Sequence, residues 1–362
     1  MTDEHLYAVI MAGGKGTRFW PASRESKPKQ ILAIAGPDPM IRATVDRILP
    51  KIPAARILVV TGAAHARDIR LALPDVPGEN IVAEPVGRNT APCIGLAAHM
   101  VLRLDPQGVM LVLPADHTIE HVDEFLNIVA HGAQLAQARD VLVTLGIHPT
   151  RPETGYGYIE AGPTTDRTGQ TPGSHLPVLE FHEKPELEKA LAYLATGRFY
   201  WNSGMFIWKA AVILEWIQQL LPDLARDLSG LAEHLGQPDF QKALEDCYPN
   251  LQSISIDYGV MEKAADVVVL PADIGWSDVG SWNAAADYWP RIDGNALEGQ
   301  ALFIDTTGCV VYSPNKTAAL IGVRDLIVVD TPDALLICPK DRDQDVKKVV
   351  AALEKQGRRE LL

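Results

Sequence analysis

Short apolar runs rich in β-branched residues alternate with longer stretches in which apolar positions recur every three or four residues. Leu6 to Met11, Ile57 to Thr61, Ile81 to Ala83, Val109 to Leu113 and Val141 to Leu145 read as buried strands. Between them, Asp38-Pro39 offers a capping Asp and a Pro at the first helical position, followed by Met40, Ala43, Val45 and Ile48 at helical spacing. Thr90 to Leu104 and Val122 to Arg139 read as two further helices. Strands alternating with helices imply parallel crossovers. The expected fold is a doubly wound, mainly parallel, Rossmann-like α/β sheet covered on both faces.

From about residue 154 the rhythm changes. Tyr156 to Glu160, Val178 to Glu183 and Gly204 to Trp208 read as strands added to the same sheet, with helices over Pro185 to Thr196, Ala211 to Leu221 and Phe240 to Tyr248. After Trp289-Pro290, strand patterns at Leu302 to Asp305, Cys309 to Ser313, Ala318 to Val323, Leu326 to Asp330 and Ala334 to Cys338 are separated by turn residues. An amphipathic helix from about Asp343 to Gln356 follows. Two domains are expected, 1–290 and a small C-terminal β unit over 291–362 whose spacing fits a meander.

One polar stretch interrupts this pattern directly after the first strand: Ala12-Gly-Gly-Lys-Gly-Thr-Arg-Phe-Trp-Pro-Ala-Ser-Arg-Glu-Ser-Lys-Pro-Lys-Gln30. Gly13, Gly14 and Gly16 let the backbone turn and approach a ligand closely, and free backbone N–H groups in such a turn bind anions. Lys15, Arg18, Arg24, Lys27 and Lys29 stand there against a single acid, Glu25, in a chain of net charge -13. That local contrast marks a polyphosphate site. A Walker loop is excluded because Lys15 is followed by Gly16, and a dinucleotide fingerprint lacks its third glycine until Gly36.

The overall acidity argues against a nucleic-acid surface, while small anionic substrates suit a locally positive cleft. Cys93, Cys247, Cys309 and Cys338 are isolated and read as reduced thiols. The N-terminus lacks a basic leader region, and the apolar run behind it is too short for a membrane span. A cytoplasmic enzyme without membrane association is expected. His117, His65, His148 and His182 show no zinc-ligand spacing, and Ser203 has no recognisable base, so acyl transfer has no support.

In an open α/β sheet the ligand site lies beyond the carboxyl ends of the strands. Asp116, just past Leu111-Val-Leu-Pro-Ala, and Asp278, in Trp276-Ser-Asp-Val-Gly280, are carboxylates placed to hold magnesium, which needs few protein ligands. Taken singly, each reads more readily as a cap or turn residue. Glu183 and Lys184 stand before the helix opened by Pro185. The ammonium suits a sugar phosphate and the carboxylate its vicinal hydroxyls. Glu84 can accept from both N1–H and the 2-amino group of guanine; Arg88, Asn89 and Thr90 follow it, with spacing leaving open which touches base or ribose.

Arg18-Phe-Trp-Pro-x-Ser-Arg24 with Pro28-Lys-Gln30 resembles the sugar nucleotidyltransferases, and in particular their mannose-1-phosphate guanylyltransferase branch. Glu84-Pro-Val-Gly-Arg-Asn-Thr-Ala-Pro92, Leu113-Pro-Ala-Asp-His117, Thr154-Gly-Tyr-Gly-Tyr-Ile-Glu160, Phe181-His-Glu-Lys-Pro185, Trp201-Asn-Ser-Gly-Met-Phe206 and Trp276-Ser-Asp-Val-Gly-Ser-Trp282 extend the likeness through most of the chain. The resemblance implies transfer of GMP from GTP to mannose 1-phosphate, giving GDP-mannose and pyrophosphate. It implies that Ala12, Gly13, Gly14, Lys15, Gly16 and Thr17 cradle the triphosphate, that Arg18 steadies the β and γ phosphates, and that Lys29 serves the α-phosphate. It further implies Mg2+ on Asp116 and Asp278, and a sugar phosphate held by Gly157, Glu183, Lys184 and Asn202. For the C-terminal unit it adds a short left-handed β-helix as the alternative to a meander.

Other readings are the same transfer to another hexose or heptose phosphate, a regulatory subunit that binds nucleotide sugar without turnover, and a nicotinamide-dependent dehydrogenase. No cupin-like isomerase cluster follows residue 290, so one activity is expected. Apolar strand edges in the C-terminal unit suit a homodimer.

Overall fold

The computed structural model describes residues 4–14, 16–163 and 175–362, so Lys15 lies outside the described residues. Strands β1 (Leu6–Ala12), β2 (Ile57–Gly62), β3 (Ile81–Glu84) and β4 (Val109–Pro114) are followed by the short β5 (Thr118–Ile119), β6 (Leu142–Ile147), β7 (Tyr158–Ala161), β8 (Leu176–His182), β9 (Phe199–Lys209) and β10 (Val267–Ala272). Nine of these form one sheet in the order β3-β2-β1-β4-β9-β6-β10-β8-β7. Helices α1 (Met40–Ile48), α2 (Ala66–Ala72), α3 (Thr90–Leu104), α4 (Val122–Ala138), α5 (Leu187–Thr196), α6 (Ala210–Leu220), α7 (Pro222–Ala232) and α8 (Phe240–Cys247) pack around it.

The pleat of β1 sends alternate residues to two separate cores. Leu6, Ala8 and Ile10 join Ile41 and Val45 of α1 and Phe125 and Val129 of α4 on one face. Tyr7 and Val9 join Ile94 and Val101 of α3, Ile213 of α6 and Leu228 of α7 on the other. A strand buried on both faces must be apolar throughout, as the β1 sequence is. The doubly wound architecture therefore holds, with parallel pairing confined to β3-β2-β1-β4 and β6-β10. Strand β9 enters antiparallel between β4 and β6, which makes the sheet mixed.

Three local readings change. Helix α1 begins at Met40 with Pro39 as its cap residue, and no side chain caps it, so Asp38 lacks the capping role its sequence position offers. Helix α7 lies outside the helices expected from the sequence, although Pro222 at its first turn is a start signal. The runs at Cys309 to Ser313 and Ala318 to Val323 fuse into one strand over Val310–Ile321.

That strand belongs to the C-terminal unit. After β11 (Trp276–Ser277), which pairs with β5, and α9 (Trp282–Ala285) come β12 (Arg291–Ile292), β13 (Asn295–Ile304), β14 (Val310–Ile321), β15 (Leu326–Asp330), β16 (Leu335–Pro339) and α10 (Val346–Lys355). β13 pairs parallel with β14, and β14 parallel with β15. Parallel neighbours exclude a meander and require the chain to coil, as a β-helix does. The unit shares a third core with the basic loop: Phe19, Trp20, Leu32 and Ile34 pack with Trp282, Trp289, Val310, Ile327 and Val346.

Candidate active site

The basic loop leaves the carboxyl end of β1 and is tied back to its own start. The Ala12 carbonyl accepts from Gln30 Nε2 at 2.7 Å and from Thr61 Oγ1 at 3.1 Å. Gly16 takes a left-handed φ of 61°, and a Cβ there would stand 2.5 Å from the Cβ of Lys29. Glycine is what lets Lys29 pass so close.

Lys29 is buried, 5% exposed, and its ammonium faces three oxygens: Asp116 Oδ2 at 3.0 Å, the Asp116 carbonyl at 2.9 Å and the Asp278 carbonyl at 2.5 Å. An ammonium has three donors, so the protein occupies all of them. Lys29 thus pins the β4 exit and the β11 exit to one point. The resemblance implies a charge free for a substrate phosphate; the structure commits that charge to the two aspartate segments. Burial pushes the Asp116 carboxyl up, but Lys29 and neighbouring His117 outweigh it and leave its pKa below the usual value.

Asp278 is oriented from the other side. Tyr156 donates its hydroxyl to Asp278 Oδ1 at 2.7 Å, and Tyr156 itself packs edge-on against Trp201 and Trp276 at 5.3 and 5.4 Å. Burial, reinforced by the Asp278 carboxylate, raises the Tyr156 pKa, so the phenol stays a donor. Of the four tryptophans near the matched motifs, Trp201 lies in a core as Trp208 and Trp282 do, Trp276 is half-buried against the same core as Trp201, and these two reach the site through Tyr156. A Cβ at Gly280 would come within 2.6 Å of Asp278 Oδ2, so glycine leaves room for the carboxylate. Buried Val279 holds a φ of 42°, a strained conformation for a β-branched residue and one that clusters at functional sites. Lys29 thus holds the Asp116 segment beside Asp278, whose carboxylate borders the larger cavity, a donor set of the kind a divalent cation uses.

Gly157, Glu183 and Asn202 meet as neighbours. The Asn202 N–H donates to the Gly157 carbonyl at 2.8 Å, and a Cβ on Gly157 would lie 2.7 Å from Glu183 Oε2. Lys184, exposed and with φ 44°, pairs with Glu183 at 2.6 Å. Asp257 joins them without having been marked by the sequence. It sits on a π-helical turn (Asp257–Met261), accepts from Asn202 Nδ2 at 2.7 Å, and has its pKa raised by burial. Irregular helical turns favour functional sites, but no sequence signal identifies this one.

A cavity of about 390 Å³ is lined by Gly13, Gly14, Glu84, Asn89, Thr90, Gly204 and Asp257. Tyr248 donates to Glu84 Oε1, while Glu84 Oε2 faces Gly13. Burial drives the Glu84 pKa up to about 7, against the lowering effect of Tyr248. Asn89 Oδ1 accepts from the Thr90 N–H at 2.9 Å and caps α3, and Thr90 Oγ1 accepts from the Ile256 N–H at 2.8 Å. Arg88 lines neither this cavity nor the larger one, and its Nε is buried without a partner among the described residues. The larger cavity, about 1010 Å³, is lined by Thr17, Arg18, Tyr156, Lys184 and Asp278 and by residues of the C-terminal unit.

A sequence model described as Nucleotidyl transferase matches residues 7–292. The chain belongs to the nucleotidyl transferase family. A second, described as MannoseP isomerase/GMP-like beta-helix domain, matches residues 299–353 of this nucleotidyl transferase and agrees with the coiled parallel pairing there. The chain is 41% identical over 367 residues to the mannose-1-phosphate guanylyltransferase of Escherichia coli K12, covering 99% of this chain and 76% of that protein. It is 40% identical over 359 residues to the enzyme of the same name from Klebsiella pneumoniae, covering 98% and 75%. A crystal structure described as mannose-1-phosphate geranyltransferase from Thermus thermophilus superposes with a TM-score of 0.83 at 36% identity, covering 97% of this chain and 99% of that one. Among the described residues of this nucleotidyl transferase, no helix is long and apolar enough to cross a membrane.

Proposed function

We propose that this nucleotidyl transferase moves GMP from GTP to mannose 1-phosphate, releasing pyrophosphate and forming GDP-mannose. The observation that carries the reading is the gathering of Asp116 and Asp278 on Lys29, with Asp278 and Lys184 bordering one cavity and Glu84 another. The names of the 40–41% identical relatives supply the sugar and the base.

A phosphate oxygen of the sugar phosphate attacks the α-phosphorus in line, and the bond to the β-phosphate bridge breaks. The nucleophile is already ionised near neutral pH, so no general base is needed. Catalysis rests on alignment and on neutralising phosphate charge. Lys184 leaves Glu183 to hold the incoming phosphate, and Glu183, Asn202 and the Gly157 backbone hold the hexose. Glu84 accepts from the guanine edge, with Asn89 and Thr90 beside it. The Ala12–Thr17 backbone, Lys15 and Arg18 cradle the triphosphate. Lys29 acts by positioning both aspartates, which would hold Mg2+. When bound, that ion supplies positive charge beside the α-phosphate.

The proposal extends to a cytoplasmic homodimer meeting through the exposed apolar positions Leu302, Ile304 and Ile321 of the β unit, checked by sedimentation. The reaction is tested by crossing GTP, ATP and UTP with several sugar 1-phosphates, with and without magnesium, and reading pyrophosphate release. GTP with mannose 1-phosphate should lead the panel. A different leading pair would replace the substrate assignment, and binding without release would make the protein a sensor.

A further inference from the structure

The larger cavity has a wall that the nine-stranded sheet does not supply. Lys340 and Lys347, from the turn after β16 and the first turn of α10, line it together with Arg18 of the basic loop. Three hydrogen bonds hold that wall in place. Arg18 Nη1 donates to Gln344 Oε1 at 3.5 Å, and Asn283 Nδ2 donates to the Lys340 carbonyl at 2.7 Å and to Asp343 Oδ2 at 2.9 Å.

The charges here are unequally paired. Arg342 and Lys348, in the same segment, both pair with Asp345 at 2.6 Å. Arg18, Lys340 and Lys347 pair with no carboxylate among the described residues. The acids that line the same cavity have other partners: Asp343 accepts from Asn283, Asp278 from Tyr156, and Glu153 and Asp287 pair with Arg151 and Arg291. Asp343 and Asp278 keep their charge on these neutral donors, but Arg18, Lys340 and Lys347 form no direct ion pair among the described residues and face one polar cavity, so their donors are open to an anion they can share. The family resemblance accounts for Arg18 in the triphosphate cradle and gives the C-terminal lysines no role.

We propose that Lys340 and Lys347, with Arg18, form a phosphate subsite contributed by the C-terminal β unit, which takes the β and γ phosphates of the nucleotide and then the leaving pyrophosphate. This rests on the guanylyl-transfer reading. It explains why the β unit shares its core with the basic loop: the packing of Trp20 and Phe19 against Trp282 and Val346 holds the two sources of positive charge in register.

The test uses the full chain with Lys340→Gln/Lys347→Gln, and Lys348→Gln as the control outside the cavity. In the reverse direction, with GDP-mannose, the double variant should raise the KM for pyrophosphate about tenfold, a change of roughly 1.4 kcal/mol. The forward KM for mannose 1-phosphate should stay within about twofold, since that ligand is assigned to Lys184. Lys348→Gln should match wild type in both. An unchanged pyrophosphate KM in the folded double variant, or an equal rise for mannose 1-phosphate, overturns the subsite. If the wild type makes no GDP-mannose, the reading of the reaction fails instead. Calorimetric titration of pyrophosphate into wild type and double variant then still decides the subsite: weaker binding by the variant supports it, and equal binding overturns it.

Discussion

Buried Lys29 forms an ion pair with half-buried Asp116, 3.0 Å from Nζ to Oδ2, and the same ammonium donates to the Asp278 carbonyl at 2.5 Å. Asp116 lies 87 positions from Lys29 along the chain and Asp278 lies 249, so one side chain joins three distant segments. Gly16, with no side chain to block it, leaves the path open.

Removing the ammonium therefore costs stability as well as activity. Lys29→Ala leaves a half-buried carboxylate and two carbonyls without their donor, a loss on the order of 3 kcal/mol. Thermal unfolding should shift down by several degrees, and turnover should fall even at temperatures where the variant is folded. Full turnover in a folded Lys29→Ala protein would remove Lys29 from the site.

If Glu84 reads the base as proposed, base recognition depends on pH. Its pKa is raised to about 7, so the carboxylate proposed to accept from guanine is present above that value and lost below it. The KM for GTP should rise as pH falls through 7. Glu84→Gln should flatten that dependence and weaken the preference for GTP over ATP. The stability sign is the opposite: a raised carboxyl pKa means that the folded state holds its proton more tightly, so this group's contribution to stability falls as pH rises from about 4.5 to about 7. Glu84→Gln should accordingly unfold at a higher temperature than wild type at pH 8, and an unchanged GTP preference there would contradict the assignment.

Strand bodies and strand ends were legible in the sequence because β1 and β4 are buried on both faces and must be apolar, which makes their polar exits conspicuous. Asp116, Glu84 and the glycine loop stand out in that way. Tyr156, Tyr248 and Asp257 do not, since each acts on a partner 55 to 164 residues away and no local pattern carries such a pairing. The antiparallel entry of β9 was equally hidden: an apolar strand buried on both faces reads the same in either direction.

Tyr156→Phe tests the orientation of Asp278. Losing the 2.7 Å hydrogen bond frees the carboxylate to rotate, and outer groups of this kind typically tune metal affinity by about tenfold or more. The magnesium concentration for half-maximal turnover should rise, with the KM for GTP less affected at saturating metal. Identical magnesium titrations for variant and wild type would refute the role.

Trp289→Ala tests the coupling of the β unit to the basic loop. Trp289 is buried, donates from Nε1 to the Ile34 carbonyl at 2.9 Å and packs 5.9 Å from the Tyr312 ring of β14, so truncation should cost about 3–5 kcal/mol. Differential scanning calorimetry should show a single, lowered transition if the two units unfold together, and an unmoved transition would show that they do not depend on this contact.

The most direct measurement of the central claim is identification of the nucleotide product from GTP and mannose 1-phosphate, by wild type and by Asp278→Asn, under saturating magnesium. The account predicts GDP-mannose and pyrophosphate in equal amounts from wild type, and at least about a hundredfold slower formation by the folded variant. No GDP-mannose from wild type, or an undiminished rate from Asp278→Asn, would contradict it.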